Sequence, residues 1–599
     1  MQNSLSISSL RDQYLKRHFG PREYIAMCRE KIQLQNKTNP AWIYQLSDEE
    51  LEPYLLKLEE QTAERLPLFG IPFAIKDNID LAGIPTTAGC PDFSYVPNRS
   101  AHVVERLIQA GAIPLGKTNL DQFATGLVGA RSPWGACGSV FNRSYVSGGS
   151  SAGSAVSVAE GQVMFSLGTD TAGSGRIPAA FNNLVGLKPS RGLLSNTGMV
   201  RACRSLDCIS IFALTALDAE LVFDTAADYD SSDEYSRKYL PSPTKNIKNP
   251  RVAIPQTDQL EFFGDTDYID CHLAALETAT KLGWRLVEID FSPLFRAAKM
   301  LYEGPWVAER DAAYGNFAKE NPDSVLPVIR QILAPAEQIS ATQTFQSQYE
   351  MQQIKVAVDE LLKGFNFALM PSAPGHYLIE DVQKEPIKLN SQLGTYTNFM
   401  NLLDLSAIAV PANFTPSGMP YSITLFAQAF ADHQLLAQAA EWQRHTELSL
   451  GHRLGNLDPV DFTNHQLSKV AEGWTEILVA GAHMSGLPLN YQLRDLDGQY
   501  LEATKTASKY SLYALAGGPP ERPGLVREEQ DGANIEVEIW AIPTINVGTL
   551  LAQIPAPLGL GKVELEDGRW VTGFICEPWG VVGAEDITEL RSWRSYLTS

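Results

Sequence analysis

Two serines and a lysine in the first third of the chain are residue types that can perform acyl transfer without a histidine. Ser150 and Ser174 lie 24 residues apart in the Gly-, Ser- and Ala-rich segment 147–178, and Lys76 stands 74 residues before Ser150 among apolar residues. A serine hydroxyl is a poor nucleophile until a base removes its proton, and a lysine amine can be that base once burial lowers its pKa. We therefore predict Ser174 as the nucleophile, Lys76 as the base and Ser150 as the proton relay between them.

The glycines around Ser174 predict a second part of such a site. Glycine-rich loops can point several backbone N–H groups at one oxygen, which stabilises an oxyanion. The N–H groups predicted to form this oxyanion hole are those of Thr171, Ala172, Gly173 and Ser174. For Asp170 and Arg176 we expect a structural ion pair that braces the loop. The alternative explanation of the whole segment is a Gly/Ser loop without chemistry.

Composition and charge narrow the class of protein. The chain has 599 residues, 44% hydrophobic and 20% charged, which is typical of a globular protein with two or more domains. Its formal net charge of −21 argues against nucleic acid or an anionic membrane as a partner, and it means that an anionic substrate needs a local cation. The seven cysteines form no CxxC pair, so neither a disulfide framework nor a metal site is indicated. Because the N-terminus has no apolar signal region, we expect a cytoplasmic protein. We also expect that it uses no cofactor.

The secondary-structure pattern positions these residues on an α/β scaffold. Residues 67–200 alternate short apolar runs with helical patterns, with strands predicted at 73–75, 113–116 and 163–167. Helices are predicted from His102, at 120–126 and at 152–160. Further on, the pattern predicts one long helix from about Leu294 to Phe317.

A polar stretch near the C-terminal end indicates a second domain. After about residue 472 the sequence changes to short β runs with turn signals. We predict a first domain over 1–455, a linker over 456–471 and a C-terminal domain over 472–599.

Residues from about 65 to 445 resemble the amidase signature family. Besides Lys76, Ser150 and Ser174 at the family's spacing, the resemblance includes Lys117-Thr-Asn and the segment 401–428. It implies an α/β domain with a central mixed sheet flanked by helices, and hydrolysis of a carboxamide through an acyl-enzyme with a Ser-Ser-Lys triad. The resemblance leaves the substrate open, because the family includes many amidases.

The C-terminal segment contains the runs ILVAGAHMSGLPLNYQL at 477–493, GGPPERPGLVR at 517–527 and NIEVEIWAIP at 534–543. With these runs it resembles the C-terminal domain of allophanate hydrolases and, more distantly, the γ-glutamyl cyclotransferase-like fold, a small β-barrel. Where that fold has a tyrosine-glycine loop, this chain has Ala480-Gly481-Ala482-His483, which makes cyclotransferase activity doubtful. The resemblance implies a smaller α+β domain whose pocket opens near His483. An imidazole there could deliver a proton or bind an anion, although a lone histidine after a strand is more commonly structural.

Tyr302 and Arg310 are candidates for substrate binding. Eight residues apart on a helix, both side chains could reach one pocket, and an arginine offers a planar fork that matches a carboxylate. By itself such a pair is more commonly an arginine on the helix surface and a packing tyrosine. With the second domain in view, the resemblance places both residues where allophanate hydrolases bind the substrate carboxylate.

The resemblance therefore implies hydrolysis of allophanate to ammonia and N-carboxycarbamate, which then loses carbon dioxide, in urea or s-triazine nitrogen catabolism. His483 is the predicted proton donor for that second step. The alternative is a general amidase or an amidotransferase subunit with a non-catalytic oligomerisation module. We also expect a homodimer. Because no biotin-attachment motif of the AMKM type occurs in this sequence, any urea carboxylase partner is expected to be a separate chain.

Overall fold

The computed structural model describes residues 6–63, 65–238, 247–456, 473–528 and 532–598. These residues form two compact units, with residues up to 456 in the first and residues from 473 in the second. The linker predicted at 456–471 lies outside the described residues apart from residue 456, so the domain boundaries stay a prediction.

A mixed β-sheet of eleven described strands runs through the first unit, in the order β1-β3-β2-β4-β6-β5-β10-β11-β9-β7-β8. Parallel pairs join β2 to β3 and β4, and β7 to β8 and β9, whereas the other neighbours are antiparallel. The strands are β1 (Trp42–Gln45), β2 (Pro72–Lys76), β3 (Ile113–Thr118), β4 (Phe165–Asp170), β5 (Val185–Lys188), β6 (Cys208–Ala213), β7 (Arg251–Pro255), β8 (Arg285–Ile289), β9 (Phe367–Pro371), β10 (Leu405–Phe414) and β11 (Pro420–Gln428). This confirms the predicted mixed sheet.

Helices cover this sheet, and α5, α7 and α17 pack against β4, β6 and β10. The helices of the first unit are α1 (Ile7–Leu15), α2 (Pro21–Gln35), α3 (Asp48–Glu59), α4 (His102–Gln109), α5 (Ala152–Ala159), α6 (Ile177–Phe181), α7 (Ala216–Ala226), α8 (Thr266–Lys281), α9 (Ser292–Glu303), α10 (Trp306–Arg310), α11 (Asn316–Glu320), α12 (Pro327–Leu333), α13 (Ala341–Leu361), α14 (Ile379–Lys384), α15 (Lys388–Leu393), α16 (Phe399–Leu402) and α17 (Asp432–Thr446). Every residue of α5 is buried, which its small side chains allow.

Two predicted helices differ from the structure. The continuous helix predicted from Leu294 to Phe317 is wrong, because α9 ends at Glu303 and α10 begins at Trp306. Gly304 and Pro305 interrupt it, since proline provides no backbone N–H to continue the hydrogen-bond ladder. The helix predicted at 120–126 is a short 3₁₀ turn over Gln122–Ala124, whose residues Phe123 and Ala124 have positive φ.

The second unit is α+β, and its described strands form a five-stranded sheet in the order β13-β16-β12-β18-β17 and a three-stranded sheet in the order β15-β14-β19. Its elements are β12 (Trp474–Val479), α18 (Asn490–Asp495), β13 (Gln499–Lys505), β14 (Tyr510–Leu515), β15 (Arg522–Arg527), β16 (Glu536–Pro543), α19 (Val547–Ala552), β17 (Leu558–Glu564), β18 (Trp570–Cys576), β19 (Glu585–Asp586) and α20 (Trp593–Thr598). Two apolar clusters fill the interior of this unit.

All seven cysteines of the chain are buried and unbridged. Within the described ranges, no helix combines the length and apolarity that a membrane span requires.

Candidate active site

Parallel pairing of two strands places Lys76 beside the serine segments. Lys76 is the last residue of β2, which pairs with β4 so that Ile75 faces Leu167. The carboxyl ends of the two strands therefore meet, and the Nζ of Lys76 donates to the Oγ1 of Thr169 at 2.7 Å. The same amine donates to the Oγ of Ser150, also at 2.7 Å. The structure thus brings two of the three predicted triad residues into direct contact.

Burial determines the protonation state of Lys76. The side chain is fully buried, and its two hydrogen-bond partners are neutral hydroxyls. Desolvation lowers the pKa of Lys76 to about 7, because it outweighs the opposing attraction of Asp121, Asp207 and Asp170. A large share of the amine is therefore neutral near neutral pH, as a general base requires.

Ser174, the predicted nucleophile, contacts a different segment of the chain from Ser150. Its side chain is buried, and its Oγ donates to the carbonyl oxygen of Gly126 at 3.5 Å. Within the described residues no hydrogen bond joins Ser150 to Ser174. The Lys76–Ser150 half of the predicted triad is therefore a direct contact, whereas the relay from Ser174 to Ser150 stays a prediction.

A buried ion pair holds the loop that carries Ser174. Arg176 donates to both carboxylate oxygens of Asp170 at 2.9 Å, which confirms the predicted pair. Burial acts to raise the pKa of Asp170, but the guanidinium of Arg176 keeps it below its usual range. At Gly173 the backbone has φ of +130°, and a Cβ would lie 2.4 Å from the Oγ1 of Thr397. Only glycine fits this position.

The N–H groups of the predicted oxyanion hole are not equivalent. Gly173 donates its N–H to the Oδ1 of Asp170 at 2.8 Å, so this donor is engaged in bracing the loop. In the part of the chain that the structure describes, the N–H groups of Thr171, Ala172 and Ser174 form no hydrogen bond. Since a donor must be free to bind a developing oxyanion, these three are the better candidates, and the role of all four stays a prediction.

Arg310 is a buried cation beside Tyr302. Only 1% of its surface is exposed, and its guanidinium lies 5.7 Å from the centre of the Tyr302 ring. Tyr302 belongs to α9 and Arg310 to α10, and the two side chains meet across the break between these helices. Among the described residues no carboxylate lies within 4.0 Å of Arg310, and its Nε has no hydrogen-bond partner. Asp207 attracts it through space, but that carboxylate accepts from Thr171.

The segment Thr125-Gly126 connects Arg310 with Ser174. Arg310 donates to the Oγ1 of Thr125 at 3.1 Å, and Ser174 contacts the carbonyl of the next residue, Gly126. Arg131, also buried, donates to the carbonyl oxygen of Thr125 at 3.0 Å. Two guanidinium groups therefore converge on a segment that also contacts the predicted nucleophile.

Sequence reasoning missed several of these residues. Thr169, Thr125 and Arg131 have no motif of their own, although Thr169 stands in the same Gly-rich segment as Ser174. Among the described residues no group of histidine, cysteine and carboxylate side chains could hold a metal ion.

In the second unit, His483 lines a cavity of about 170 Å³. One ring nitrogen, Nε2, lies 2.8 Å from the Oε1 of Gln492, and the ring is tilted over Phe574 with the centroids 4.7 Å apart. Burial lowers the pKa of His483 below its usual value. The residue lies in a cavity wall as predicted, and its catalytic role stays a prediction.

Comparison with known families agrees with this organisation. The family model described as "Amidase" matches residues 23–436, and the model described as "Allophanate hydrolase C-terminal domain" matches residues 475–598. The solved structure of an allophanate hydrolase from Kluyveromyces lactis matches with a TM-score of 0.84 and 40% sequence identity, covering 100% of both chains.

Two curated relatives match different shares of this chain. The urea amidolyase of Saccharomyces cerevisiae is 44% identical over 573 residues, which cover 93% of this chain and 31% of that protein. One subunit of the glutamyl-tRNA(Gln) amidotransferase of Methanosarcina mazei is 30% identical over 440 residues, which cover 67% of this chain and 89% of that protein. The chain thus spans about a third of the length of the curated urea amidolyases that it matches.

The pKa of Lys76 predicts the pH dependence of the first step. Since only the neutral amine can accept a proton, kcat/KM for amide hydrolysis should fall about tenfold per pH unit below about 7 and level off above it. Lys76→Met should lower kcat about 10²–10⁴-fold, because it removes the general base. The measurement is initial ammonia release between pH 5 and 9, with Ser174→Ala as the inactive reference. Near-normal kcat in Lys76→Met would show that another group is the base.

The Asp170–Arg176 pair predicts a loss of stability. Arg176→Met leaves a buried carboxylate without its cation, which typically costs about 3–5 kcal/mol. We expect a lower urea midpoint for the first unit. Arg204→Met is the control, because Arg204 pairs with Glu234 at an exposed site and its loss should change the midpoint little. Equal midpoints for the two variants would contradict the bracing role of Arg176.

Proposed function

Because this chain belongs to the amidase family and carries an allophanate hydrolase C-terminal domain, we propose that it hydrolyses allophanate to ammonia and N-carboxycarbamate. The observation that carries the substrate is Arg310, a buried cation without a carboxylate partner within 4.0 Å among the described residues. A buried charge is costly unless it is paired, and allophanate is a small amide that brings a carboxylate to pair with it.

The first step uses the lysine and the two serines. As the Oγ of Ser174 attacks the terminal carbamoyl carbon, its proton passes through the Oγ of Ser150 to the neutral amine of Lys76. The C–N bond then breaks and ammonia leaves with a proton from Lys76. A water molecule next attacks the acyl-enzyme, and the released product is N-carboxycarbamate, a dianion at neutral pH. The contact between Lys76 and Ser150 supports this route.

Free backbone donors support the same chemistry. The N–H groups of Thr171, Ala172 and Ser174 are available for the oxyanion that forms during attack. Removing a single donor of this kind typically costs about 10²–10³ in rate.

Recognition of the substrate carboxylate rests on Arg310 and Tyr302. A guanidinium can donate two parallel hydrogen bonds to a carboxylate. The contacts of Arg310 with Thr125, and of Ser174 with Gly126, support a substrate that spans from the cation to the nucleophile. A general amidase or an amidotransferase subunit is the alternative function, but an amidase that acts on an uncharged amide gives no reason for a buried cation that lacks a carboxylate.

The second step is decay of N-carboxycarbamate, and we assign it to the C-terminal domain. Loss of carbon dioxide leaves an electron pair on nitrogen, which must take up a proton. His483 lines a cavity and has an imidazole that can supply this proton. Overall, allophanate, one water and one proton give two ammonia and two carbon dioxide.

The reaction that supplies allophanate must either carboxylate urea or hydrolyse one terminal amide group of biuret with release of ammonia. The match to urea amidolyases favours urea nitrogen catabolism. A urea carboxylase on a separate chain and a homodimeric assembly stay predictions.

Arg310 variants test the substrate. We expect Arg310→Gln to lower kcat/KM about 10–100-fold on allophanate and on malonamate, because each carries a carboxylate. On biuret, which is uncharged, the rate should change little. Arg310→Lys should recover little activity, since an ammonium lacks the planar fork, and Tyr302→Phe is a milder control. The measurement is initial ammonia release from each substrate. An equal loss on biuret and allophanate would make Arg310 structural and remove the main support for this substrate.

His483 variants test the second step. With limiting allophanate, His483→Asn should release the first ammonia at the normal rate, whereas the second ammonia should lag. A general acid typically contributes about 10²–10⁴-fold, so the second phase should fall towards the spontaneous rate of decay. Continuous assays of ammonia and carbon dioxide measure both phases. Two ammonia molecules at the wild-type rate would show that His483 is not a catalyst.

A further inference from the structure

The cavity beside His483 has an unusual set of charges for so acidic a chain. Its walls come from the loop after β12, the start of β15, the segment after α19, and Phe574 of β18. Among the described residues that line it, His483 and Arg522 are the titratable or charged ones, and no carboxylate is present. The net charge of the chain is −21. A cavity that contains only potential cations selects for an anion.

Close packing brings these two residues to one cavity. Gly481 lies against Pro523, and a Cβ on Gly481 would lie 2.3 Å from the Cδ and Cγ of that proline. Glycine at 481 therefore lets the loop before His483 approach the start of β15, where Arg522 is the first residue. This gives a physical reason for the glycine in the Ala-Gly-Ala-His sequence.

Arg522 is not engaged by the protein itself. Its side chain is half-buried, and in the described part of the chain it forms no ion pair and no side-chain hydrogen bond. By contrast Arg527, on the same strand, pairs with Glu564 at 2.8 Å, and Arg569 pairs with Glu502. A guanidinium in a largely apolar wall is well suited to bind a carboxylate, because the low polarity strengthens the interaction.

Gln492 determines which nitrogen of His483 exchanges a proton. The Oε1 of Gln492 only accepts hydrogen bonds, so the Nε2 at 2.8 Å must carry a hydrogen. The other nitrogen, Nδ1, is then the one that gains and loses a proton. The carbonyl oxygen of His483 accepts from the Nδ2 of Asn490 at 2.8 Å, which holds the backbone of this residue.

We propose that this cavity binds a small dicarboxylate, with Arg522 as its anion-binding residue and Gln492 as the residue that orients His483. Resting on the proposed function, the ligand is N-carboxycarbamate. The volume fits, since a cavity of about 150 Å³ can hold benzene, which has nearly as many heavy atoms.

The position of Arg522 suits one carboxylate of the dianion. Arg522 binds the carboxylate that is retained. The departing carboxylate, which loses its charge as carbon dioxide forms, lies against apolar wall, where loss of charge is favoured. The C–N bond breaks, its electron pair stays on nitrogen, and that nitrogen takes the proton of the His483 imidazolium. Burial disfavours this imidazolium in the free protein, whereas the negative charge of a bound dianion favours it. The products are carbon dioxide, a carbamate and neutral His483.

The test uses the full chain with limiting allophanate. Arg522→Gln should leave the rate of the first ammonia release unchanged. It should slow the release of the second ammonia about 10–100-fold, because a charge-assisted contact is lost. Arg527→Gln is the matched control, since it removes the same charge from the same strand outside the cavity and should change neither phase.

The outcomes separate this proposal from the proposed function. If His483→Asn slows the second ammonia and Arg522→Gln does not, the anion site is overturned and the proposed second step stands. If neither variant slows it, the proposed second step fails as well. If Arg522→Gln slows both phases equally, its effect lies outside this cavity and the proposal is overturned.

The pH profile of the Gln492→Glu variant provides a second test. A merely structural role of Gln492 would leave this profile unshifted. A carboxylate at this position should raise the pKa of His483, which burial lowers. The other charged residue in the described lining of the cavity is Arg522. Since the protonated imidazole is the acid, the rate of the second phase falls as the pH rises through this pKa. The decline should therefore move to higher pH, while the pH profile of the first ammonia stays unchanged. An unshifted second-phase profile would overturn the role of Gln492.

Discussion

Burial of an amine without a carboxylate partner is the interaction on which the proposed chemistry depends. Lys76 and Lys117 are both fully buried in the same sheet, but Lys117 lies 2.9 Å from the Oδ1 of Asp77, whereas Lys76 contacts hydroxyls only. A carboxylate compensates the charge of a buried lysine, and a hydroxyl does so far less. Lys117 is therefore held in the sheet by an ion pair, whereas Lys76 can lose its proton near neutral pH.

The same contrast distinguishes two of the buried arginines, Arg176 and Arg310. Arg176 is neutralised by Asp170, and together they fix the loop around Ser174. Arg310 has a hydroxyl of Thr125 and the ring of Tyr302 in place of a carboxylate. In a chain with a net charge of −21, binding of an anion requires such local cations, because the long-range field repels it. Anion recognition is therefore a property of individual buried sites.

The second unit extends this argument to a different chemical problem. Amide hydrolysis needs a base, whereas decarboxylation needs an acid and a place for a carboxylate to lose its charge. His483 and Arg522 lie in the walls of a mostly apolar cavity without a carboxylate, so its electrostatics suit an anion that becomes less charged as it reacts. In the proposed function, dividing the two steps between two units lets each site have its own polarity.

The sequence by itself predicted the α/β sheet, which the structure confirms, and acyl-transfer chemistry at Lys76, Ser150 and Ser174, because these residues stand in segments whose local composition is distinctive. It also identified Tyr302 and Arg310, but it predicted one continuous helix for them, and Gly304 and Pro305 interrupt that helix. The sequence also predicted the ion pair of Arg176 with Asp170, whereas only the tertiary structure decided which other cations have carboxylate partners. Pairings such as Lys117 with Asp77, or Arg310 with Thr125, join residues far apart in the chain, and burial, which sets the pKa of Lys76, results from the packing of the whole sheet.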